Sequence, residues 1–252
     1  MTRSVLVVPC FNEEKRLDRA AFADLARAED LTLLFVDDGS TDGTLRVVRE
    51  LEARLPAKIR VLAIEKNCGK GEAVRRGMLD GLGLGAHVVG YGDADLATPP
   101  KELLRLRDMV HEGGASVVVG SRVLLVGMQI ERKFLRHLLG RVFATFAANI
   151  VKMPFYDTQC GAKFFRDTPA LRAALGRPFT SRWAFDVELL GRLRIGTPEV
   201  PGLPLADFRE VPLERWIDIP DSKVRMSAMA KTLADLARID RELAKMRREA
   251  RR

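Results

Sequence analysis

The sequence predicts an open α/β fold, a mostly parallel sheet flanked by helices on both faces. Three observations carry this. The first half alternates short Val/Leu/Ile-rich runs with helix-length segments, a pattern that calls for parallel strands joined by crossover helices. The strand-like runs are apolar almost throughout instead of alternating, as strands buried on both faces must be. Two of those runs end in acidic residues, Asp37-Asp38 and Asp93-Ala94-Asp95. In open α/β sheets the carboxyl ends of the strands are where ligands bind.

The elements follow in order. Residues 4–9, 32–37, 59–65, 86–93 and 116–121 read as strands, and residues 16–27, 44–55, 71–82 and 100–111 as the helices between them. Thr41-Asp42 caps the second helix, and Pro99-Pro100 breaks the chain before the fourth opens at Lys101-Glu102. Gly81, Gly83 and Gly85 close the third. The second half is less regular. Its pattern predicts a basic amphipathic helix over 131–152, a polar loop at 157–161 and a strand at 163–166. A helix over 185–193, a strand over 208–216 and a long helix over 226–248 complete it. The division expected is a domain spanning 1–225 and a basic amphipathic C-terminal helix at 226–252.

Composition narrows the class. A chain of 252 residues with 47% hydrophobic content can bury a full core. Cys10, Cys68 and Cys160 are odd in number and lack CxxC spacing, which argues against a disulfide framework or a zinc site and points to a reducing cytoplasm. Met1-Thr2-Arg3 leads straight into a strand-like run, so no signal peptide is expected. The longest apolar stretch, near 142–151, falls short of the roughly 20 residues that span a bilayer. Of the net charge of +8, an excess of six positive charges lies in residues 223–252, where ten basic side chains face four acidic ones. A basic tail of this kind suits an anionic surface. Few aromatics accompany it for base stacking, which weakens a nucleic-acid reading.

The acidic strand ends are the strongest chemical signal. Asp93 and Asp95, two residues apart just beyond a strand, can converge on one Mg2+ or Mn2+ that also holds phosphate oxygens. A capped turn is the structural alternative. Asp37 and Asp38 can accept hydrogen bonds from a base N–H or ribose hydroxyls, or simply cap a helix. No GxGxxG or GxxxxGK[ST] is present, so dinucleotide and P-loop chemistry lose support. Asn67-Cys68-Gly69-Lys70-Gly71 sets a lysine at a helix start, suited to phosphate or to solvent. Arg122 with Arg132, Lys133 and Arg136 forms a positive cluster, either a solvated face or a clamp for an anionic acceptor. Asp186 either caps the helix at 185–193 or serves an acceptor site.

These residues resemble a known family. Val8-Pro9-Cys10-Phe11-Asn12-Glu13, residues 36–44, residues 67–71 and the Asp93-Ala94-Asp95 DXD motif look like the family 2 inverting glycosyltransferases of GT-A fold. Gly120-Ser121-Arg122, Asp157-Thr158-Gln159-Cys160-Gly161 with Lys163, residues 182–189, and Asp221-Ser222-Lys223-Val224 resemble the dolichyl-phosphate β-glucosyltransferases and the wider polyprenyl-phosphate branch. The resemblance implies that Pro9, Phe11, Glu13, Asp37, Asp38, Lys70 and Asp93 line the nucleotide-sugar pocket. It implies a metal on Asp93 and Asp95, and an acceptor site at Arg122, Arg132, Arg136, Gln159, Lys163 and Trp183. Asp95, Asp186 and Arg122 would carry the chemistry.

The donor it implies is UDP-glucose. The acceptor is a polyprenyl phosphate, reached by peripheral contact of the basic helices with the cytoplasmic face of a membrane. An ionised phosphate acceptor needs no general base; a hydroxyl acceptor would need one, for which Asp186 is the candidate. Two departures stand out. Some relatives have glutamine where this chain has Ala97, and the eukaryotic enzymes carry an N-terminal membrane helix not seen here. A sugar-phosphate nucleotidyltransferase, the enzymatic rival, would want a Gly/Arg-rich loop after the first strand, which residues 10–13 do not supply.

Overall fold

The computed structural model describes residues 3–130, 134–217 and 228–250; the side chains of 130, 134–142 and 228–233 lie outside that description. In chain order the elements are β1 (Ser4–Cys10), α1 (Arg19–Leu25), β2 (Leu31–Asp38), α2 (Thr44–Arg54), β3 (Ile59–Ile64) and α3 (Lys70–Gly83). Next come β4 (Val88–Tyr91), α4 (Pro100–His111), β5 (Val117–Ser121), β6 (Gln129–Ile130) and α5 (Phe134–Val151). The last are β7 (Lys163–Arg166), α6 (Pro169–Leu175), α7 (Phe185–Ile195), β8 (Phe208–Pro212), β9 (Arg215–Trp216) and α8 (Ala228–Glu249).

Seven strands form one sheet in the order β3-β2-β1-β4-β7-β5-β8. β7 runs antiparallel to both neighbours, and every other pairing in this sheet is parallel. The all-apolar strands have the predicted cause. Along β1, Val5 and Val7 enter one core and Leu6, Val8 and Cys10 the other; along β2, Leu34 and Val36 oppose Leu33 and Phe35. The first core is closed by α3 and α5 to α8, the second by α1, α2 and α4. At the centre, β4 meets β7 closely. A Cβ on Gly90 would lie 2.3 Å from the Phe164 ring, so only glycine lets the antiparallel strand dock there.

Four differences from the sequence reading have local causes. The expected strand over 208–216 is two: β8 ends at Pro212, which has no N–H to continue a ladder, and β9 pairs instead with β6. α1 begins at Arg19, not 16, because the Asp18 carboxylate caps Ala20 and Ala21 while residues 13–17 form a separate turn on the Glu13 carbonyl. α6, opened by the Thr168 cap and Pro169, is too short for periodicity to reveal. The strand expected to run to 93 stops at Tyr91, which leaves Asp93 and Asp95 in the turn beyond it.

α8 packs on α5 and α7. Leu236, Ile239, Leu243 and Met246 are buried in the first core. α7 and α8 approach closely: a Cβ on Gly191 would stand 2.3 Å from Leu243 Cδ1. A basic amphipathic C-terminal helix could lie on a membrane or equally pack on the domain, and Leu236 and Leu243 are used in the second way, inside the protein.

Candidate active site

The carboxyl ends of β1, β2 and β4 place three acidic loops on one rim. Asp93 Oδ1 accepts from Lys70 Nζ at 2.5 Å, with Lys70 at the first position of α3. Arg16 joins the loop after β1 to the loop after β4: its guanidinium holds Glu13 through both oxygens at 2.7 Å and lies 3.7 Å from Asp95 Oδ2. Burial, then the neighbouring charge of Asp93, pushes the Asp95 carboxyl above its ordinary range. Burial alone would lower Lys70, but Asp93, Asp186 and Asp95 together raise it, so it stays a cation. Opposite this pair, a Cβ on Gly161 would fall 1.9 Å from Asp93 Oδ2, so the 157–161 loop lies directly against the carboxylate.

Asp37 and Asp38 divide their work. Both oxygens of Asp38 are engaged, by the backbone N–H of Cys68 at 2.7 Å and of Gly69 at 2.8 Å and by Asn67 Nδ2 at 2.9 Å. This fixes the loop that presents Lys70. Asp37 accepts from Ser40 N through Oδ2, and its Oδ1 is buried with no partner among the described residues. An orphaned buried carboxylate oxygen at a strand end is a ready acceptor for a ligand N–H or hydroxyl. Glu13 is buried, and Pro9 and Phe11 are partly exposed beside it. Asn12, held at positive φ, accepts from Thr41 N at 2.8 Å and joins the first two loops. Asn12 and Arg16 escaped the sequence reading: Asn12 lay inside the quoted motif without a role, and Arg16 had only its charge to mark it.

The far side of the rim is a polar network. Lys163 is fully buried and donates to Asp186 Oδ1 at 2.7 Å and to the Cys160 carbonyl at 2.5 Å. Tyr91 Oη also donates to Asp186, and Gln159 Nε2 reaches its Oδ2 at 3.4 Å. Lys163, expected beside the acceptor, is thus turned inward and serves Asp186. Burial, and then the Asp186 charge, raises the Tyr91 phenol well above its usual range, so it remains a donor. Arg122 grips Asp157 with two bonds of 2.7 and 2.9 Å and lies over the Trp216 ring. Asp157 in turn is set by Glu210, which accepts from its N–H and from that of Tyr156. Beside this pair, Ser121 Oγ and Thr158 Oγ1 are buried with no partners among the described residues. Trp183 is half exposed, next to Arg182, whose side chain covers Gly69 and donates to Asn67. Burial pushes the Cys160 thiol up to about 11, so it is not a nucleophile. Arg132, the side chain of Arg136 and residues 221–224 lie outside the described residues.

With this geometry in place, the comparisons decide the family: the profile of Glycosyl transferase family 2 matches residues 5–170. The chain belongs to the family 2 glycosyltransferases. A dolichyl-phosphate beta-glucosyltransferase of Dictyostelium discoideum is 33% identical over 93% of this chain and 72% of its own length. Its counterpart in Homo sapiens is 30% identical over 87% of this chain and 68% of its own. A polyprenol monophosphomannose synthase of Mycolicibacterium smegmatis shares 27% over 75% of this chain and 71% of its own. Among solved structures, glucosyl-3-phosphoglycerate synthase from Mycobacterium tuberculosis, crystallised with Mn2+, UDP and glucosyl-3-phosphoglycerate, superposes with a TM-score of 0.68 at 19% identity. That alignment covers 94% of this chain and 80% of the other. This likeness speaks to the fold, which is the GT-A arrangement expected for this glycosyltransferase.

The donor set suits a divalent ion of the hard kind. Asp93 and Asp95 present partly exposed carboxylates that already draw two cations, Lys70 and Arg16. Among the described residues no cluster of three or more His, Cys, Asp or Glu is available. The pair fits a metal that takes its remaining oxygens from water and a bound diphosphate, the usual habit of Mg2+ at phosphate sites.

Proposed function

We propose that this glycosyltransferase moves glucose from UDP-glucose to the phosphate of a polyprenyl or dolichyl phosphate, with inversion, at the cytoplasmic face of a membrane. The names of the relatives supply the sugar and the acceptor, and the UDP-bound structure of similar fold suggests the nucleotide; the hydrogen bonding of Asp186 supplies the chemical support. Asp186 accepts from Lys163 Nζ at 2.7 Å and from the Tyr91 phenol and lies 3.4 Å from the Gln159 amide, so its oxygens are engaged inside the protein and not set aside for the proton of an acceptor hydroxyl. A hydroxyl acceptor would need that proton removed. A phosphate monoester, with a second pKa of about 6, arrives already ionised.

The reaction read from these parts is a single displacement. A phosphate oxygen of the acceptor attacks the anomeric carbon as the bond to the UDP oxygen breaks, and UDP leaves with the electron pair. Asp37 is the best-placed acceptor for the base or ribose, since Asp38 is committed to the 67–69 loop. Lys70, delivered by that loop, meets the diphosphate. Asp93 and Asp95 would hold Mg2+ or Mn2+, which would supply charge neutralisation for the departing diphosphate. Arg122 presents a guanidinium fixed by Asp157 to the incoming phosphate, with Ser121 and Thr158 hydroxyls beside it. Gln159, bonded to Asp157 and near Asp186, and the half-exposed Trp183 would contribute to the acceptor side.

UDP release measured with Mn2+, with and without a short polyprenyl phosphate, tests this reading. Turnover should require the lipid phosphate and fall at least about a hundredfold in Asp95→Ala, in line with the loss of one main electrostatic contact to the transition state. Equal turnover with a sugar or glycerol hydroxyl in place of the phosphate would sink the acceptor assignment.

A further inference from the structure

The loop between β5 and β6 carries the most exposed apolar group among the described residues. Leu124 is 65% exposed, Leu125 47% and Val126 fully so. The tip is an ordered turn: Met128 N donates to the Leu125 carbonyl at 3.1 Å, and Gly127, at φ +88°, occupies the third position that a type II turn reserves for glycine. Three large aliphatic side chains are thus held outward by the backbone itself. A soluble surface gains nothing from such a display, and contiguous exposed apolar residues mark a contact site.

Position and charge name the partner. The loop leaves the sheet directly after Ser121 and Arg122, on the rim where the acceptor phosphate is proposed to bind. From 123 to 130 no residue is charged; immediately after, Arg132, Lys133, Arg136 and Arg141 stand against Glu131 alone. An apolar tip beside a basic stretch is the composition that lies in the headgroup region of an anionic bilayer, with aliphatic side chains below and cations among the phosphates. The obvious competitor is spent, because the apolar stripe of α8 is buried against α5 and α7. We infer that Leu124, Leu125 and Val126 insert into an anionic phospholipid surface and so set the active-site rim against it. This rests on the lipid-phosphate reading for its purpose: a tip that dips beside Arg122 brings the rim to the depth of a lipid-borne phosphate.

The test uses the full chain and vesicles of phosphatidylcholine with phosphatidylglycerol, free of polyprenyl phosphate. Co-sedimentation should show wild type on the vesicles and a loss of about tenfold or more in partitioning for Leu124→Ser/Leu125→Ser/Val126→Ser. A Val126→Trp variant should shift its added emission to the blue on vesicles and be quenched by brominated acyl chains. Failure of wild type to bind, or binding with unchanged Val126→Trp emission, would overturn the inference. So would a dimer that the triple serine variant dissolves, which would make a second copy the occupant. Turnover on a short, water-soluble polyprenyl phosphate separates the two readings. The triple variant should keep the wild-type rate there, and a lost rate would assign the tip to the acceptor pocket instead. If wild type turns over no acceptor while Val126→Trp still inserts, the functional reading fails and this one stands.

Discussion

Lys163 and Asp186 show how the site is stiffened from beneath. The Lys163 side chain has no solvent exposure; it donates to the Asp186 carboxylate and the Cys160 carbonyl, and the Tyr91 ring centre lies 5.3 Å from its Nζ. Removing one partner of such a pair leaves a buried charge without compensation, at a cost of about 3–5 kcal/mol. Lys163→Met should lose that much in urea denaturation, while Tyr91→Phe, which leaves the ion pair intact, should lose only about 1 kcal/mol. Equal losses would show that the phenol anchors Asp186 as strongly as Lys163 does. The strand runs made Asp37, Asp38, Asp93 and Asp95 legible as strand-end carboxylates, because spacing along one segment suffices to place them. Spacing does not reveal which of two adjacent carboxylates is consumed internally, as Asp38 is by the 67–69 loop. Nor does it reveal that Arg16 reaches across to Asp95, a contact between segments 79 residues apart in sequence.

At the level of elements, the hidden feature is β7. It is short, and nothing in Lys163-Phe164-Phe165-Arg166 says that it enters antiparallel between β4 and β5. Strand direction is set by the connections on either side, which run through α5 and the 157–161 loop before β7 and through α6 and α7 after it. The long helices were legible, since amphipathic periodicity over many residues is hard to mistake; the use of their apolar faces was not. A basic amphipathic helix at the end of a chain suits a membrane as well as a protein core, and α8 takes the core. Leu243, fully buried against Gly191, is the tightest point of that packing. Leu243→Ala should cost about 2–5 kcal/mol, the range for a buried leucine whose cavity cannot collapse. Ending the chain at 225 should yield insoluble protein, because the α5 and α7 surfaces under α8 would then face water. A soluble, folded fragment 1–225 would show that α8 is an appendage after all.

The whole molecule gathers its charges so that the site is self-neutralised before substrate arrives. Asp93 holds Lys70 and Asp95 lies against Arg16, so on the proposed reading a divalent ion binding alone would have to displace cations from both carboxylates. UDP changes both sides of that exchange. Its diphosphate offers the ion further oxygens and gives Lys70 a new anionic partner, so each ligand should bind better in the presence of the other. Such coupling is reciprocal and is typically worth about 1–3 kcal/mol. Thermal unfolding should therefore rise little with Mn2+ alone or UDP alone, and with both together by more than the sum, an excess that a chelator abolishes. Lys70→Ala separates the contributions: removing the resident cation should strengthen Mn2+ binding in the absence of UDP, read by its paramagnetic signal, and weaken UDP binding in the absence of metal. Should Mn2+ alone stabilise wild type as much as the pair does, a protein ligand beyond Asp93 and Asp95 completes the site, and the diphosphate is not what draws the ion in.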